Sequence, residues 1–215
     1  MDTEVKPMVK QVRAERTRQA LLAAAAEEFD RQGYAGTSLS AVHRACGVTM
    51  GALTFHFHAK ADLAAAVCRE AELLTRRALA CLAPAEALPP VAEFTFVIAR
   101  LLEEEVTVRA AARLAREQAV TPCWHTVWRG ALSQLVAPAR KMPAHGGEAL
   151  ADRLELLAVY LTAGAEAALR AGRPGRDVQT ELVRLWALVL VPGPLPGVDR
   201  RPAAVATRPE PSRSS

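Results

Sequence analysis

The chain has 215 residues, of which 51% are apolar and only 5% aromatic, and its formal net charge is +4. This length fits one domain or two small ones, with enough apolar material for a hydrophobic core. A pI near 9.1 is compatible with nucleic-acid binding but does not establish it. The alanine-rich, aromatic-poor composition favours close-packed helices over sheets.

Simple features of the sequence exclude several classes of protein. No uninterrupted apolar run approaches the roughly 18 residues that a membrane span needs, and the polar N-terminus lacks the apolar segment of a secretion signal. The four cysteines form no CxxC pair, which argues against a disulfide framework or a zinc site. We therefore expect a soluble, cytoplasmic protein with no membrane partner, no metal and no cofactor.

Hydrophobic periodicity predicts an all-α chain. After a flexible arm over residues 1–9, a helix is expected over about 10–32, and Gly33 is expected to stop it. Further helices, including their capping residues, are expected over about 38–46, 49–56, 60–82, 90–104, 106–120, 123–137, 148–171 and 176–190. The proline-rich tail over 192–215 is expected to be disordered.

The segment from Ser38 to Phe57 holds two short helices separated by Gly47, and neither helix is long enough to be stable alone in water. This layout is typical of a helix-turn-helix, whose second helix enters the major groove of DNA. Gly47 permits a positive φ at the turn, and Val48 can fill the corner beneath it. On this pattern alone, an ordinary helical corner remains the alternative.

A wider set of residues resembles the N-terminal domain of TetR-type transcriptional repressors over about residues 10–75. The resemblance implies a helix-turn-helix domain over residues 10–60, made of three helices. A connecting helix then begins a ligand-binding and dimerisation domain over 61–191. The matching positions are Phe29, Gly33-Tyr34, Thr37, Gly47-Val48-Thr49, Gly51-Ala52-Leu53, Phe55-His56-Phe57 and Lys60-Ala61-Asp62-Leu63.

The resemblance also implies a set of contacts to double-stranded DNA. Lys60 would face a phosphate at the start of the fourth helix, and His56 would contact another phosphate. Hydroxyl and basic side chains would add further contacts, although a solvated helix face is the alternative for the basic ones. The expected DNA-binding residues are Arg13, Thr17, Ser38, Ser40, Arg44, Thr49, Met50, Gly51, Ala52, Thr54, Phe55, His56 and Lys60.

Four positions depart from the pattern of that family. Met50 stands where Lys is usual, and Thr54 where Tyr is usual. Ala41 replaces the acid that completes the capping box of the first short helix, and His43 replaces a small residue. These departures predict either weaker DNA binding or an unusual operator preference.

The C-terminal part resembles the γ-butyrolactone receptor branch of the same family over about residues 90–135. The resemblance implies that Trp128 stacks over a small lactone and that Thr162 forms a hydrogen bond to it. Ala71 stands where several such receptors have glutamine. The effector therefore remains open between a γ-butyrolactone, a butenolide, a furan and an antibiotic intermediate. The matching stretches are Thr95-Phe96, Ala99-Arg100-Leu101, Arg109-Ala110, Arg113-Leu114-Ala115 and Trp128-Arg129, and the expected ligand-binding residues are Phe96, Trp124, Trp128, Tyr160 and Thr162.

The last two predicted helices carry an apolar stripe, which the resemblance assigns to a homodimer interface. Packing within the chain is the alternative use of this stripe. A two-fold dimer would place its two reading helices about 34 Å apart and would require a pseudo-palindromic operator. The stripe consists of Leu154, Leu157, Leu161, Ala165, Leu182, Leu185 and Val189.

Together these patterns predict a homodimeric transcriptional repressor that a small apolar signal releases from DNA. The alternative is a helical ligand-binding protein, or the hetero-partner of a repressor, whose DNA contacts have eroded. An enzyme is not expected, because no catalytic motif is present and Cys123 and His125 would point in different directions on a helix. No residue is therefore assigned a catalytic role.

Overall fold

A computed structural model describes residues 5–82, 90–120, 124–141, 147–172 and 177–190. Within these ranges the chain forms nine α-helices and no strand, which confirms the all-α prediction. None of these helices is both long and apolar enough to cross a membrane. The helices are α1 (Val5–Gly36), α2 (Leu39–Cys46), α3 (Met50–His56), α4 (Lys60–Ala80), α5 (Pro90–Glu104), α6 (Val106–Arg116), α7 (Trp124–Arg140), α8 (Gly147–Ala171) and α9 (Val178–Leu190).

The observed boundaries of three helices differ from the expected ones by several residues. Helix α1 begins at Val5, so residues 5–9 are helical where the sequence predicted an arm. Helix α6 ends at Arg116, four residues earlier than expected, and α7 continues past Pro138 to Arg140. The expected tail over 192–215 and Cys123 lie outside the described residues.

Gly33 interrupts the helical backbone of α1, as predicted, and a further short helical stretch follows it within the same element. Its backbone adopts φ 72° and ψ −178°, after which the chain makes one more helical turn to Gly36. A positive φ is strained for residues with a Cβ, so glycine suits this position. The bend directs the following segment towards α2 and away from the axis of α1.

The N-terminal unit packs α1, α2 and α3 around a small apolar core. The side chains of Phe29, Val42, Leu53 and Phe57 are all buried there. Leu63 of α4 belongs to the same buried cluster, so this unit is completed by the connecting helix. Burial of each such side chain contributes roughly 1.5–3 kcal/mol, which compensates for the low intrinsic stability of two helices of eight and seven residues.

The C-terminal body places α4 at its centre. Helix α4 packs against α1, α5, α6 and α7, while α8 packs against α5 and α7, and α9 packs against α5 and α8. Helix α6 also packs directly against α1, so it joins the body to the N-terminal unit. Among the largest buried side chains of the body are Trp124, Trp186, Phe94, Ile98 and Leu114.

Candidate nucleic-acid interface and ligand cavity

The turn between α2 and α3 is closed by hydrogen bonds from both sides. Gly47 adopts φ 71° and ψ 21°, and its N–H donates to the carbonyl of Arg44 at 3.2 Å. The N–H of Val48 donates to the carbonyl of His43 at 3.1 Å, and Nδ1 of His43 lies 3.1 Å from the carbonyl oxygen of Val48. His43 therefore stabilises the turn. The sequence shows only that His43 replaces a small residue and does not predict this role.

Hydroxyl groups cap the two helices of this motif. Ser38 accepts a hydrogen bond from the N–H of Ala41 at 3.1 Å, and Thr49 accepts one from Ala52 at 3.2 Å. Because Ala41 has no carboxylate, α2 lacks the second half of a capping box, as the sequence predicted. Both hydroxyls belong to exposed residues, so capping and a contact to DNA are compatible.

Helix α3 presents several exposed side chains at the surface of the described part of the chain. Phe55 is 75% exposed, and Met50 is another large apolar side chain on this surface. Gly51 and Thr54 are exposed as well, with the Thr54 hydroxyl donating to the carbonyl of Gly51 at 3.2 Å. Exposed apolar side chains on so small a motif are typical of a surface that binds another molecule.

Basic and hydroxyl groups on α1 and α2 accompany this face. Arg13 and Arg44 are exposed, and Arg44 donates through Nε to the carbonyl of Ser40 at 3.0 Å. The Thr17 hydroxyl donates to the carbonyl of Arg13 at 3.1 Å. His56 is half-buried, with its ring edge-on to that of Phe55 at a centroid distance of 5.1 Å. Arginine, threonine and histidine are side chains of the types that bind phosphates.

Lys60 differs from its expected role. Its ammonium donates to the carbonyl oxygens of Tyr34 at 2.7 Å and Thr37 at 3.0 Å, and it lies 4.4 Å from the centre of the Tyr34 ring. Two of its three donor positions are thus used within the protein. Lys60 fixes the start of α4 to the segment between α1 and α2, and so it positions the motif.

A polar joint connects α1 to α6. Asp30 accepts a hydrogen bond from Nε of Arg109 at 3.0 Å through its carboxylate, and from Nη1 of Arg113 at 2.7 Å through its backbone carbonyl. Arg109 also donates to the carbonyls of Leu102 and Glu103 at the end of α5. The joint therefore involves three helices.

Glu117, directly after α6, completes the α1–α6 joint. Its carboxylate accepts hydrogen bonds from the N–H of Tyr34 at 2.7 Å and from Nε of Arg113 at 3.0 Å. Partial burial alone would raise its pKa, but these hydrogen bonds and the positive charges of Arg113 and Arg116 lower it overall. A Cβ at Gly33 would overlap the Glu117 carboxylate and would lie 2.9 Å from Nε of Arg113. Glycine at position 33 thus satisfies both the backbone angle and this close approach.

Two of the three tryptophans have their indole N–H paired with a buried threonine. Trp124 donates to the Thr75 hydroxyl, and Trp186 donates to the Thr95 hydroxyl, each at 2.8 Å. Both hydroxyls pass their own hydrogen to a backbone carbonyl at 2.7 Å. Trp124 is thus a buried core residue whose indole N–H is already paired within the chain. This favours core packing over the expected contact with a ligand.

Trp128 and Thr162 behave differently. They are 2% and 1% exposed, yet neither the indole N–H nor the hydroxyl has a hydrogen-bond partner among the described residues. A buried polar group without a partner costs roughly 1–3 kcal/mol, so such groups are uncommon and mark sites of function. These are two of the five residues that the resemblance predicted to contact a ligand.

Tyr160 and Phe96, which were also expected to bind a ligand, are less buried than Trp128 and Thr162. Tyr160 is 69% exposed on the outer surface of α8, because residues two apart on a helix point in nearly opposite directions and Thr162 points inwards. The expectation that Tyr160 lines an internal site is therefore wrong. Phe96 is half-buried and packs against the small buried cluster of Ala99, Ala165, Val178 and Leu182.

Cavities of three kinds adjoin these elements. One of about 450 Å³ is largely apolar and lies between α4, α5 and α7, with Phe94, Val127 and Leu135 in its wall. One of about 630 Å³ lies at the α1–α6 joint and is lined by charged residues, including Asp30 and Arg109. A third, of about 230 Å³, lies between α6, α7 and α8 and is lined by Arg116, His125, Trp128, Arg129, Ala163, Glu166, Ala167 and Arg170.

The exposed apolar residues of α8 and α9 coincide only in part with the stripe predicted by the sequence. Leu182 and Ala165 are buried inside the chain, and Leu154, Leu157 and Leu161 are half-buried against its core. Of the predicted stripe, Leu185 and Val189 are exposed. The exposed large side chains, here called the α8–α9 face, are Leu150, Leu156, Tyr160, Val183, Leu185, Leu188 and Val189.

This combination of a capped two-helix turn, an exposed second helix and an all-α body defines a helix-turn-helix regulator. The family model described as bacterial regulatory proteins of the tetR family matches residues 21–67. The A-factor receptor protein of Streptomyces griseus is 43% identical over 63 residues, which form 29% of this chain. The matches to the curated relatives cover 23% of the length of each.

Two solved structures are similar over a much larger share of the chain. A γ-butyrolactone receptor (ArpA-like protein) is 32% identical with a TM-score of 0.58, covering 83% of this chain and 97% of that one. CprB from Streptomyces coelicolor, in complex with its biological operator sequence, is 30% identical with a TM-score of 0.56, covering 82% of this chain and 98% of that one. The chain therefore belongs to the tetR family of bacterial regulatory proteins. Its members are regulators, in agreement with the expectation that this chain is not an enzyme.

The close approach at Gly33 predicts a difference between two glycines with positive φ. Gly33→Ala is expected to lower the free energy of unfolding by the strain of the left-handed backbone, roughly 1–2 kcal/mol, plus the loss of the Glu117 contacts. Gly172→Ala, at φ 56° with no atom within 4 Å of its new Cβ, should show the backbone strain alone. Urea unfolding of both variants measures the difference, and equal losses would contradict the proposed role of Glu117 at this glycine.

The unpaired hydroxyl of Thr162 predicts an unusual response to an isosteric substitution. Thr162→Val removes a hydroxyl that has no hydrogen-bond partner in the part of the chain that the structure describes, so stability should be unchanged or increased. Thr75→Val should instead cost about 1–3 kcal/mol, because it leaves the indole N–H of Trp124 buried without an acceptor. Thermal unfolding of the two variants compares them directly. A loss for Thr162→Val as large as that for Thr75→Val would show that Thr162 is paired within the folded chain.

Proposed function

We propose that the chain is a homodimeric transcriptional repressor that binds a pseudo-palindromic operator and is released by a small cyclic signal or pathway metabolite. The observation that carries this proposal is the exposed face of α3, which follows a capped turn, together with exposed arginines on α1 and α2. Phe55 and Met50 offer apolar contact to base edges such as thymine methyl groups, and the helix N-terminus with Thr49 approaches the groove first. The lack of Lys at position 50 and Tyr at position 54 gives this surface a more apolar character than its family pattern.

Apolar and basic contacts should be separable by salt. Phe55→Ala is expected to weaken operator binding about five- to ten-fold with the same dependence on salt, because it removes apolar contact only. Arg44→Ala should reduce the slope of log K against log salt by about 0.9, as expected for one lost phosphate contact. Fluorescence anisotropy with operator fragments at several salt concentrations measures both effects.

The matched control for these variants is Arg100→Ala, which removes an exposed arginine on α5, away from the N-terminal unit. It should leave the affinity and the slope unchanged. Wild-type protein that binds no duplex at modest ionic strength would contradict the repressor and favour the alternative, a helical ligand-binding protein or hetero-partner with eroded DNA contacts.

The α8–α9 face supports the dimeric part of the proposal. Its large apolar side chains are exposed on two neighbouring helices of the single chain, and a concentration of exposed apolar residues is typical of an interface between proteins. Ala163, Gly164 and Ala167 lie exposed on the same helix and would allow a second helix to approach closely. A two-fold pair through α8 and α9 would leave both copies of α3 free for DNA.

Dimerisation through this face predicts that Leu188→Glu produces a monomer, because it buries a charge in an apolar interface. Leu73→Glu is the matched control, since Leu73 is also an exposed leucine but lies on α4. Sedimentation velocity distinguishes the two states. A Leu188→Glu variant that remains dimeric while folded would exclude this face as the interface.

Trp128 and Thr162 support the ligand-binding part of the proposal. The indole N–H of Trp128 is a buried donor, and the hydroxyl of Thr162 is a buried group that can donate and accept. Neither has a hydrogen-bond partner among the described residues, and they lie on the adjacent helices α7 and α8. A cyclic ligand with one polar edge would satisfy them and stack on the indole. To release DNA, it must bind the DNA-free arrangement more tightly than the DNA-bound one, and the α1–α6 joint is the contact between body and N-terminal unit on which that difference can act.

A further inference from the structure

The N-terminal end of α3 has little side-chain packing of its own. Met50 and Gly51 are exposed and Ala52 is half-buried, whereas the buried Leu53 and Phe57 anchor only the middle of the helix and its C-terminal end. A segment with few buried apolar contacts opens easily, because little free energy opposes its movement. Yet this end of α3 is the part that a helix-turn-helix presents to the DNA groove first. Its orientation therefore depends on the turn that precedes it.

The side chain of His43 closes a ring of two hydrogen bonds with Val48 in that turn. The backbone N–H of Val48 donates to the carbonyl of His43, and Nδ1 of the imidazole lies 3.1 Å from the carbonyl oxygen of Val48. A carbonyl oxygen only accepts, so Nδ1 carries the hydrogen and the neutral ring is the Nδ1–H tautomer. The imidazolium also has a hydrogen on Nδ1, so protonation of the ring leaves this contact intact.

The carbonyl of Val48 lies directly before the cap of α3. It belongs to the same peptide unit as the N–H of Thr49, the residue whose hydroxyl caps the helix by accepting from Ala52. The carbonyl of Thr49 in turn accepts from the N–H of Leu53 at 3.1 Å. A donor that holds the peptide plane between Val48 and Thr49 therefore fixes the direction in which α3 begins. An alanine at position 43 would have no side-chain donor for this contact.

We propose that His43 is a positioning residue for DNA recognition, whose Nδ1–H fixes the peptide between Val48 and Thr49 and thereby the direction of the reading helix α3. In this role His43 contacts no base and acts through the first turn of α3. A reading helix that is already oriented loses less freedom on binding, which raises affinity for the correct sequence and leaves the general attraction to phosphates unchanged. The inference rests on the proposed function, because it assigns a residue to the DNA-binding surface of that repressor.

The hydrogen bond itself is tested without DNA, in the full-length protein labelled with nitrogen-15. The chain has five histidines, and the spectrum of His43→Asn identifies the imidazole signals that belong to His43. At a pH that leaves imidazoles neutral, the two ring-nitrogen shifts of His43 are expected to show the hydrogen on Nδ1. A pattern with the hydrogen on Nε2 would overturn the proposal.

Amide hydrogen exchange then measures how firmly the first turn of α3 is fixed. In His43→Ala, the N–H groups of Ala52 and Leu53 should exchange about ten-fold faster, whereas that of Val42 in α2 should not. Alanine has a higher helix propensity than histidine, so an effect on helix stability alone would slow exchange in α2 and would not speed it in α3. Unchanged exchange at Ala52 and Leu53 would contradict the positioning role.

DNA binding is measured with the duplex that wild-type protein selects from a random-sequence pool, and with a scrambled duplex of the same composition. His43→Ala is expected to bind the selected duplex about ten-fold more weakly and the scrambled duplex equally well, with an unchanged dependence on salt. His43→Asn should recover most of the loss, because its amide nitrogen takes the place of Nδ1. His43→Gln is the matched control that should not recover it, although glutamine has the higher helix propensity.

A restored capping box separates positioning from helix stability. Ala41→Gln combined with His43→Ala supplies the missing side-chain acceptor at the start of α2 without adding charge near the DNA. It should raise the stability of the His43→Ala protein without restoring its affinity, because the carbonyl of Val48 still has no imidazole donor. Recovery of the affinity in this double variant would show that His43 acts only on the stability of α2, and the proposal would be wrong.

These measurements distinguish a failure of this inference from a failure of the proposed repressor. If wild-type protein selects no duplex, the repressor fails and the role of His43 in recognition fails with it, whatever the tautomer and the exchange rates. If a duplex is selected and His43→Ala binds it with full affinity, the repressor stands and the positioning role is overturned.

Discussion

The backbone of Tyr34 is the point on which the arrangement of this molecule depends. Its N–H is held by Glu117 from the body, and its carbonyl is held by Lys60 at the start of α4. One residue is therefore fixed from both sides, by groups that lie 83 and 26 positions away along the chain. Because Tyr34 leads directly into α2, the orientation of the whole turn motif follows from these two contacts.

The same joint explains why a charged interface suits a regulator better than an apolar one. Charge-assisted hydrogen bonds, such as that from Arg109 to the Asp30 carboxylate, have a steep dependence on geometry, so small displacements of α6 alter them substantially. An apolar contact of equal area would tolerate sliding with little change in free energy. A ligand that binds in the body needs to move α6 only slightly to change the hold on α1.

Local patterns in the sequence predicted the elements that local chemistry determines. The caps at Ser38 and Thr49 and the turn at Gly47 depend on residues within three or four positions of one another, and they were confirmed. Gly33 interrupts the helical backbone of α1 as predicted, but its neighbour in space is Glu117, and no feature of the local sequence reveals such a contact. The sequence therefore predicted the conformation of this glycine and not the tertiary contact beside it.

The ligand site shows the same division. The resemblance to known receptors singled out Trp128 and Thr162, and both are buried with no hydrogen-bond partner among the described residues. Tyr160 was expected to bind the ligand as well, but it is exposed, because it lies two residues from the buried Thr162 on the same helix. The arginines of the smallest cavity described above were not predicted, because Arg116, Arg129 and Arg170 come from three different helices and form no motif in the sequence.

The core of the molecule is continuous between the two units. Val42 beneath the turn motif and Trp186 in the last helix belong to one cluster of buried side chains, linked through α4. Because the two units share this buried cluster, loosening one of them is expected to expose apolar surface of the other. A graft of this turn motif onto another body would consequently need to carry the matching surfaces of α4 and α6 with it.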